Sequence, residues 1–280
     1  MDRRKKACVI GDPVAHSRSP LIHGYWLKTF GLDGAYERAH VRGDDFARFL
    51  RAMPDEGYAG GNVTVPHKEK LFALAHELTD RARAVGAANT VWFESGKICA
   101  DNTDALGFIS HLDASHPDWT KNSIRAVILG AGGAARGVLH ALIERGAENV
   151  TLVNRHVERA EALAAAAKGR AQARGWNEIP DALRGANLLV NTTSLGMQRQ
   201  PALDCPLDGL ADDAIVDDIV YIPLETDLLK RAKARGLRTV DGLGMLLHQA
   251  VPGFSRWFGK MPEVTAELRA ILEADIVKAA

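Results

Sequence analysis

The sequence predicts an α/β protein of two domains, in which an N-terminal α/β domain precedes a doubly wound parallel sheet. The chain has 280 residues, a length typical of two domains. From about residue 124 onward, short apolar segments alternate with helical ones, which is the pattern of a parallel sheet covered by helices. A glycine-rich turn at residues 130–137 joins one apolar segment to a helical one.

The composition excludes several classes of function. The 35 Lys and Arg residues balance 35 Asp and Glu residues, so global electrostatics gives no reason to expect binding to nucleic acid or to a membrane. No run of about 18 apolar residues predicts a transmembrane helix, and the basic opening at residues 2–6 lacks the apolar run of a signal peptide. The 10 histidines show no metal-binding spacing. We therefore expect no metal and a cytoplasmic protein with three scattered, reduced thiols: Cys8, Cys99 and Cys205.

The N-terminal domain begins with a predicted strand at residues 7–10 and a loop rich in Gly and Pro. Ser19 as N-cap and Pro20 at the first helical position then predict a helix that ends near Gly31. The hydroxyls of Ser17 and Ser19 beside this N-terminus suit the binding of a small carboxylate as well as they suit capping alone. Two elements follow, a strand at residues 35–41 and a short helix capped by Asp44.

The second polar stretch of this domain is residues 60–68. Alternation directs Val63 and Val65 to one face of a strand and Thr64 to the other, and a proline ends the strand. Lys68 begins the following helix, where the macrodipole disfavours a cation. This position indicates a role other than solvation, although an exposed first-turn lysine is the more common case.

A hairpin at residues 91–100 and a helix at residues 106–112 complete the predicted N-terminal elements. Asp104 lies between them, after a short polar run. It is either the N-cap of the helix or a carboxylate at the exit of a strand that faces Lys68. Residues 113–123 form a loop and the expected domain boundary.

The second domain opens with a predicted βαβ unit. An apolar strand at residues 126–129 leads into the pattern G-x-G-x-x-A, and a helix at 134–145 and a strand at 150–153 follow. Glycines in this context let the backbone approach a pyrophosphate, whose charge lies on free N–H groups at the helix N-terminus. The sequence therefore predicts a dinucleotide site that includes Gly130, Ala131, Gly132, Gly133, Ala134 and Ala135.

The residues after the second strand of this unit select the cofactor. Proteins that bind NAD usually have Asp or Glu there, which accepts the ribose 2′-hydroxyl. This chain has Asn154 and Arg155, and Arg159 follows one helical turn later. Two guanidiniums suit a 2′-phosphate, so we expect NADP(H) rather than NAD(H). The alternative is a pair of solvated charges at the start of a helix.

The rest of the chain continues the alternation of strands and helices. A strand at residues 187–190 ends at the polar stretch 191–197, the place where open parallel sheets bind ligands. Further strands are predicted at residues 214–217 and 239–240. Two helices then follow, one opened by residues 241–249 and one at residues 262–277.

Six motifs together resemble those of the shikimate dehydrogenases, NADP-dependent enzymes of aromatic amino acid and chorismate biosynthesis. They occur in the family's order and cover nearly the whole chain. This chain has alanine at positions 100 and 105, where the family usually has glycine, and histidine at position 156, where it usually has threonine. The motifs lie at residues 17–20 (Ser-Arg-Ser-Pro), 62–68 (Asn-Val-Thr-Val-Pro-His-Lys), 87–90 with 102–104, 130–136, 154–155 and 242–249.

The resemblance implies a role for each matching residue. Lys68 would stabilise charge on the reacting oxygen and supply a proton, and Asp104 would orient Lys68 and bind a hydroxyl. The substrate carboxylate would be held by Ser17 and Ser19 with help from Tyr221. The ring hydroxyls would contact Thr64, Asn89, Asp104 and Gln249, and further cofactor contacts would come from Thr192, Ile219 and Gly242.

The resemblance also implies the domain organisation and the activity. Residues 1–104 would form a substrate-binding and catalytic domain, joined by C-terminal helices at 243–280, and residues 105–242 would form a Rossmann-type NADP-binding domain. The activity would be the reversible, NADPH-dependent reduction of 3-dehydroshikimate to shikimate. The alternatives are a quinate/shikimate dehydrogenase that uses NAD and NADP, and a non-catalytic NADPH-binding regulator of the same fold. A homodimer is compatible with the resemblance.

Overall fold

Two six-stranded sheets organise the chain, each in a unit of its own. The computed structural model describes residues 4–279, so Asp2 and Arg3 of the basic opening lie outside the described residues. The first unit extends to Asp104 and includes Leu247–Leu272, and the second comprises Ala105–Leu246 and the residues from 273 onward. Within residues 4–279, no helix combines the length and the apolar character needed to cross a membrane.

The first sheet is mixed, with the strand order β2-β1-β3-β5-β6-β4. Strand β1 pairs in parallel with β2 and β3, whereas β5 runs antiparallel to both β3 and β6. The strands are β1 (Lys5–Gly11), β2 (Gly34–His40), β3 (Tyr58–Val63), β4 (Glu77–Leu78), β5 (Thr90–Glu94) and β6 (Lys97–Asp101). The helices of this part of the chain are α1 (Ser19–Thr29), α2 (Phe46–Ala52), α3 (Lys68–Leu74) and α4 (Asp80–Val85).

The direction of β5 determines which residues share an edge of this sheet. Because β5 is antiparallel to β3 and to β6, strands β1, β3 and β6 all run in the same direction. Their carboxyl ends therefore meet at one edge, together with the amino end of β5. The loops that leave this edge carry the polar motifs of the N-terminal domain.

Both faces of the first sheet are buried under helices. On one face, Ile10, Val63 and Val91 pack in a cluster with Phe46 of α2 and Leu71 of α3. The other face carries an aromatic cluster, whose largest members are contributed by α1 and by the helix over residues 242–258. In this cluster, the rings of His23 and Tyr36 stack with their centroids 3.9 Å apart, and burial lowers the pKa of His23 to about 3. This histidine is therefore neutral at physiological pH.

The second sheet is parallel throughout, with the strand order β12-β11-β10-β7-β8-β9. The chain builds it outward from β7 in one direction and from β10 in the other, and apolar clusters cover both faces. The predicted doubly wound sheet is confirmed. Its strands are β7 (Arg125–Leu129), β8 (Asn149–Asn154), β9 (Ala171–Gly175), β10 (Leu188–Asn191), β11 (Ile215–Asp218) and β12 (Arg238–Asp241).

The remaining helices alternate with these strands or follow them. They are α5 (Asp104–Ser115), α6 (Gly133–Glu144), α7 (Val157–Ala166), α8 (Ile179–Ala182), α9 (Asp227–Ala234), α10 (Gly242–Phe258) and α11 (Ala266–Ala279). A 3-10 turn precedes α8 at Trp176–Glu178. The sequence pattern does not predict α4, α8 or β4, because each is too short to show a period.

Two predicted helix caps are wrong by one residue. Ser19 is the first residue of α1 rather than its N-cap, and the hydroxyl of Ser17 accepts the N–H of Ser19 at 3.3 Å instead. Helix α2 begins at Phe46, so Asp45 and not Asp44 flanks it, and the Asp45 carboxylate pairs with Arg48 at 2.6 Å. Neither flanking residue, Arg18 for α1 or Asp45 for α2, accepts a side-chain capping hydrogen bond. The preference of Ser and Asp for the N-cap therefore does not fix where these two helices begin.

The predicted strand through Val65 is also wrong at its end. Strand β3 ends at Val63, and a turn closed by the His67 N–H and the Thr64 carbonyl at 2.9 Å leads into α3. Val63 is 1% exposed, whereas Val65 is 67% exposed, so the two valines do not share a buried face. The turn places Lys68 only five residues after the last strand residue.

The two units differ from the expected domain limits at the C-terminal end. The expectation placed residues 243–280 with the first domain, but the second unit includes residues up to Leu246 and those from 273 onward. The start of α10 packs closely within the second unit, where Gly244 lies against the ring of His111 and a side chain there would collide with that ring. Gly242 lies in the same way against the backbone of Ile219.

We predict that Trp257→Phe lowers the free energy of unfolding by about 1–3 kcal/mol, because it removes a buried hydrogen bond and part of a buried ring. The indole N–H of Trp257 donates to the Val91 carbonyl at 2.9 Å, and the residue is 2% exposed. Trp92→Phe is the matched control, since the Trp92 N–H donates to exposed Glu94. Urea denaturation measures both, and equal losses for the two variants would contradict the prediction.

Candidate active site

The polar motifs of the first unit converge on one edge of its sheet. Ser17 and Ser19 follow β1, Thr64 and Lys68 follow β3, and Asp104 follows β6. Asn89 immediately precedes β5, the antiparallel strand, and so lies at the same edge. The topology therefore brings together residues that are far apart in the sequence.

Lys68 and Asp104 form an ion pair at this edge. The Lys68 Nζ atom lies 2.5 Å from Oδ2 of Asp104, and their side chains are 22% and 10% exposed. The second carboxylate oxygen, Oδ1, accepts a hydrogen bond from Nδ2 of Asn89 at 2.8 Å. An ammonium group held by a carboxylate and accessible to solvent is a chemical arrangement that can bind an oxygen and exchange a proton with it.

Asn89 connects this pair to the loop between β6 and α5. Its Oδ1 atom accepts the backbone N–H of Thr103 at 2.8 Å, and its own N–H donates to the Asp101 carbonyl at 2.9 Å. The hydroxyl of Thr103 in turn contacts Oε1 of Gln249 at 3.5 Å. Gln249 is 8% exposed, so α10 places an amide beside the loop that carries Asp104.

The two serines lie in a loop that Arg38 holds. Nε and Nη2 of Arg38 donate to the Ser17 carbonyl at 3.1 and 2.7 Å. Ser19 is buried, and Ser17 is half-buried. Thr64 is fixed next to β1 by its N–H, which donates to the Ile10 carbonyl at 2.9 Å. These contacts fix the backbone around three hydroxyl groups.

Several residues at this edge are not predicted by sequence. Arg38 and Arg81 carry no motif and look like ordinary surface arginines. Asp101 could have been found from its position, because it is a second acid three residues before Asp104, at the end of the predicted hairpin. Its carboxylate receives hydrogen bonds from Arg81 and Thr79, both at 2.5 Å.

The second unit contains the glycine turn between β7 and α6. Gly130 has φ +107, and a side chain there would lie 2.7 Å from the hydroxyl of Thr192, so both conformation and space require glycine. Gly132 flanks the start of α6, which has no side-chain cap and no acidic residue in its first turn. At Gly132 and Gly133 a Cβ atom would point into open space. The turn is therefore a fit for the phosphates of a dinucleotide.

The other residues of this turn have distinct environments. Ala131 and Ala134 are half-buried beside the open space, and Ala135 is fully buried against the sheet. At the end of β8, Nδ2 of Asn154 donates to the His156 carbonyl at 2.8 Å. Arg155 and Arg159 are exposed, and within residues 4–279 neither guanidinium has a hydrogen bond or an ion pair. Two free guanidiniums fit an additional phosphate group better than a ribose hydroxyl.

The exits of β10 and β11 are joined by the buried carboxylate of Asp218. It accepts hydrogen bonds from the side chains of Asn191 at 2.9 Å and Thr226 at 2.7 Å. Burial raises the pKa of Asp218. The two loops joined in this way carry Thr192, Ile219 and Tyr221, so these residues lie at the carboxyl edge of the second sheet, where the strand order reverses.

Models of protein families match the chain in three places. Residues 9–91 match the shikimate dehydrogenase substrate binding domain. Residues 115–198 match shikimate / quinate 5-dehydrogenase, and residues 242–272 match the shikimate 5′-dehydrogenase C-terminal domain.

Curated relatives are similar over the full length. Shikimate dehydrogenase (NADP(+)) of Azorhizobium caulinodans is 55% identical over 272 residues, which cover 97% of this chain and 97% of that protein. The protein of the same name from Brucella melitensis is 53% identical and covers 100% of this chain and 97% of its own length.

Solved structures are similar as well. Shikimate 5-dehydrogenase from Thermus thermophilus, in complex with NADP(H) and shikimate, is 35% identical with a TM-score of 0.85, covering 98% of this chain and 99% of that one. Quinate dehydrogenase from Corynebacterium glutamicum, in complex with NAD, is 31% identical with a TM-score of 0.88, covering 96% of this chain and 99% of that one.

We predict that Asp217→Asn raises the thermal midpoint, and that the gain grows between about pH 5 and pH 8. Asp217 is 3% exposed, and its burial, together with Asp218 and Asp241, raises its pKa well above the usual range. An unfolded aspartate loses its proton near pH 4. In the folded chain the Asp217 carboxyl therefore keeps its proton to higher pH than in the unfolded chain. As a result, the free energy of unfolding falls as the pH rises.

Differential scanning calorimetry at several pH values measures this effect. Asp212→Asn is the control, because Asp212 is exposed and precedes the same strand. If the increase in thermal midpoint caused by Asp217→Asn became smaller as the pH rises, the raised pKa of Asp217 would be contradicted.

Proposed function

Because the chain belongs to the shikimate dehydrogenase family, we propose that it catalyses the reversible, NADPH-dependent reduction of 3-dehydroshikimate to shikimate, a step of aromatic amino acid biosynthesis. The observation that carries the proposal is the pair formed by Lys68 and Asp104, which Asn89 holds from the other side. A substrate with a carboxylate and several hydroxyls needs many hydrogen-bonding groups and few charges. The edge of the first sheet offers this combination.

Lys68 and Asp104 are the proposed catalytic residues. Reduction of a carbonyl places negative charge on its oxygen, which the Lys68 ammonium stabilises before it transfers a proton to that oxygen. Asp104 orients the ammonium through the 2.5 Å contact and accepts a hydrogen bond from a substrate hydroxyl. In the oxidative direction the same amine accepts the proton.

The remaining substrate contacts follow from the chemistry of the side chains. Ser17, Ser19 and Tyr221 are proposed to bind the carboxylate, for which hydroxyl donors are suited. Thr64, Asn89 and Gln249 are proposed to bind ring hydroxyls. Support for Asn89 and Gln249 comes from their hydrogen bonds to Asp104 and Thr103.

NADP(H), when bound, supplies or accepts the hydride. We propose that the glycine turn binds its pyrophosphate through the uncapped start of α6, and that Arg155 and Arg159 bind the 2′-phosphate. Further contacts are proposed for Asn154, Thr192, Ile219 and Gly242. Residues 1–104 with the C-terminal helices are the proposed substrate domain, and residues 105–242 the proposed NADP domain.

One assay separates this function from its alternatives. Oxidation of NADPH and, separately, of NADH is followed by absorbance with 3-dehydroshikimate present. Turnover that strongly prefers NADPH is expected, equal use of both cofactors would indicate a quinate/shikimate dehydrogenase, and absence of turnover would indicate a non-catalytic regulator. A cytoplasmic location, in line with three free cysteines, and a homodimer belong to the proposal, and light scattering tests the dimer.

We predict that Lys68→Ala lowers kcat about 10²–10⁴-fold, the usual contribution of an acid–base group, with a smaller change in KM for 3-dehydroshikimate. Lys70→Ala is the matched control, because Lys70 lies on the same helix and its amine donates to the Gly43 carbonyl at 2.9 Å rather than to Asp104. Steady-state kinetics measures both variants, and their thermal midpoints report folding. A Lys68→Ala enzyme with nearly normal kcat would refute the proposed role.

We predict that replacing both Arg155 and Arg159 by Ala raises KM for NADPH at least about tenfold and leaves KM for NADH nearly unchanged. The reason is that a charge-assisted contact to phosphate is worth about 1.5–3 kcal/mol and NADH lacks that phosphate. Arg184→Ala is the control, since Arg184 is exposed and pairs with Asp181. An equal rise in KM for both cofactors would show that the two arginines do not bind the 2′-phosphate.

A further inference from the structure

Helix α4 contacts the loop that carries Asp104 at both of its ends. At its start, Nη2 of Arg81 donates to Oδ2 of Asp101 at 2.5 Å, and Nε donates to the carbonyl of Asn102 at 2.8 Å. Just after its end, the carbonyl of Ala87 accepts Nδ2 of Asn102 at 3.0 Å. This short helix therefore holds the residues between β6 and α5 from two directions.

The carboxylate of Asp101 is the centre of these contacts. Its Oδ1 atom accepts the N–H of Asn102 at 2.7 Å and the hydroxyl of Thr79 at 2.5 Å, while Oδ2 accepts Arg81. Asp101 is 8% exposed, so the charge is largely removed from water and depends on these donors. The Arg81 guanidinium thus neutralises the buried Asp101 carboxylate. It also donates to the Asn102 carbonyl, which lies beyond the end of β6.

The contacts continue from this loop to Asp104. The side-chain oxygen of Asn102 accepts the N–H of Asp104 at 3.1 Å, and the N–H of Thr103 is bound by Asn89. The backbone on both sides of Asn102 is therefore fixed before α5 begins. Asp104 is the first residue of that helix, so the position of its carboxylate depends on the loop.

We propose that Arg81 is a positioning residue for Asp104, acting through Asp101 and Asn102 to hold the Asp104 carboxylate within reach of the Lys68 amine. The inference rests on the proposed function, in which that pair is catalytic. Arg81 itself contacts neither Lys68 nor Asp104. A displacement of about 1 Å in such a pair can cost about 100-fold in rate, which sets the scale of the expected effect.

The test compares Arg81→Met with Arg83→Met. Methionine keeps much of the apolar stem and removes both donors, and Arg83 lies on the same helix but is exposed. We expect Arg81→Met to lower kcat about 10–100-fold, with KM for NADPH changed less than about twofold, and Arg83→Met to stay within about twofold of the parent in both constants. Arg81→Lys, which keeps a charge facing Asp101, is expected to recover part of kcat.

A double-mutant cycle distinguishes positioning from a general structural effect. If Arg81 acts through Asp104, Arg81→Met in an Asp104→Asn background lowers kcat by less than about twofold, because the group that it positions is already removed. A loss of the same factor in both backgrounds, or a kcat of Arg81→Met near that of the parent, overturns the proposal. Thermal midpoints accompany every variant.

Further variants separate failure of the positioning role from failure of the proposed function. If Arg81→Met does not fold, Asp101→Asn takes its place in the cycle, because asparagine keeps an acceptor for Thr79 and removes the charge that faces Arg81. If Asp104→Asn and Lys68→Ala both retain nearly normal kcat, the proposed function fails whatever Arg81 does. If those two variants are slow and Arg81→Met is not, only the positioning role fails.

Discussion

The direction of one strand determines the candidate active site. In a fully parallel sheet, the loop that precedes a strand lies at the edge opposite to the loop that follows its neighbour. Strand β5 reverses this arrangement, so Asn89, which directly precedes β5, lies at the edge where β3 and β6 end. Only at that edge can its amide bind the Asp104 carboxylate while Lys68 binds the other oxygen. The contact between Asn89 and the ion pair thus depends on the direction of β5, a backbone feature that none of the three side chains controls.

The second unit uses backbone where the first uses side chains. Its parallel sheet brings the starts of helices to one edge, and Gly130 allows the chain to pass close to Thr192. The phosphate-binding groups proposed there are main-chain N–H donors at the start of α6, which need no charged residue. The charged side chains proposed to bind the cofactor, Arg155 and Arg159, follow β8. Main-chain donors suit the pyrophosphate, which both nicotinamide cofactors have. The arginines suit the 2′-phosphate, which NAD(H) lacks.

Sequence predicts the second sheet well because its central strands, β7, β8 and β10, contain short apolar runs separated by helical segments. It also singles out Lys68, since a cation at the start of a helix is unusual. It places the caps of α1 and α2 one residue away from their true positions, because no side-chain capping bond fixes the start of either helix. Arg81 could not be predicted, since its partners belong to a loop about twenty residues further along the chain and no local pattern marks them.

The hydrogen bonds of Asn89 have a consequence for the thermodynamics of binding. Its side chain is engaged on both ends by groups of the protein itself, Asp104 on the amide nitrogen and Thr103 on the oxygen. Such a side chain has already lost its rotational freedom in the free protein, so a ligand does not have to restrict it. The site is in this sense preorganised, and affinity for a small molecule is not reduced by the entropic penalty of ordering this residue.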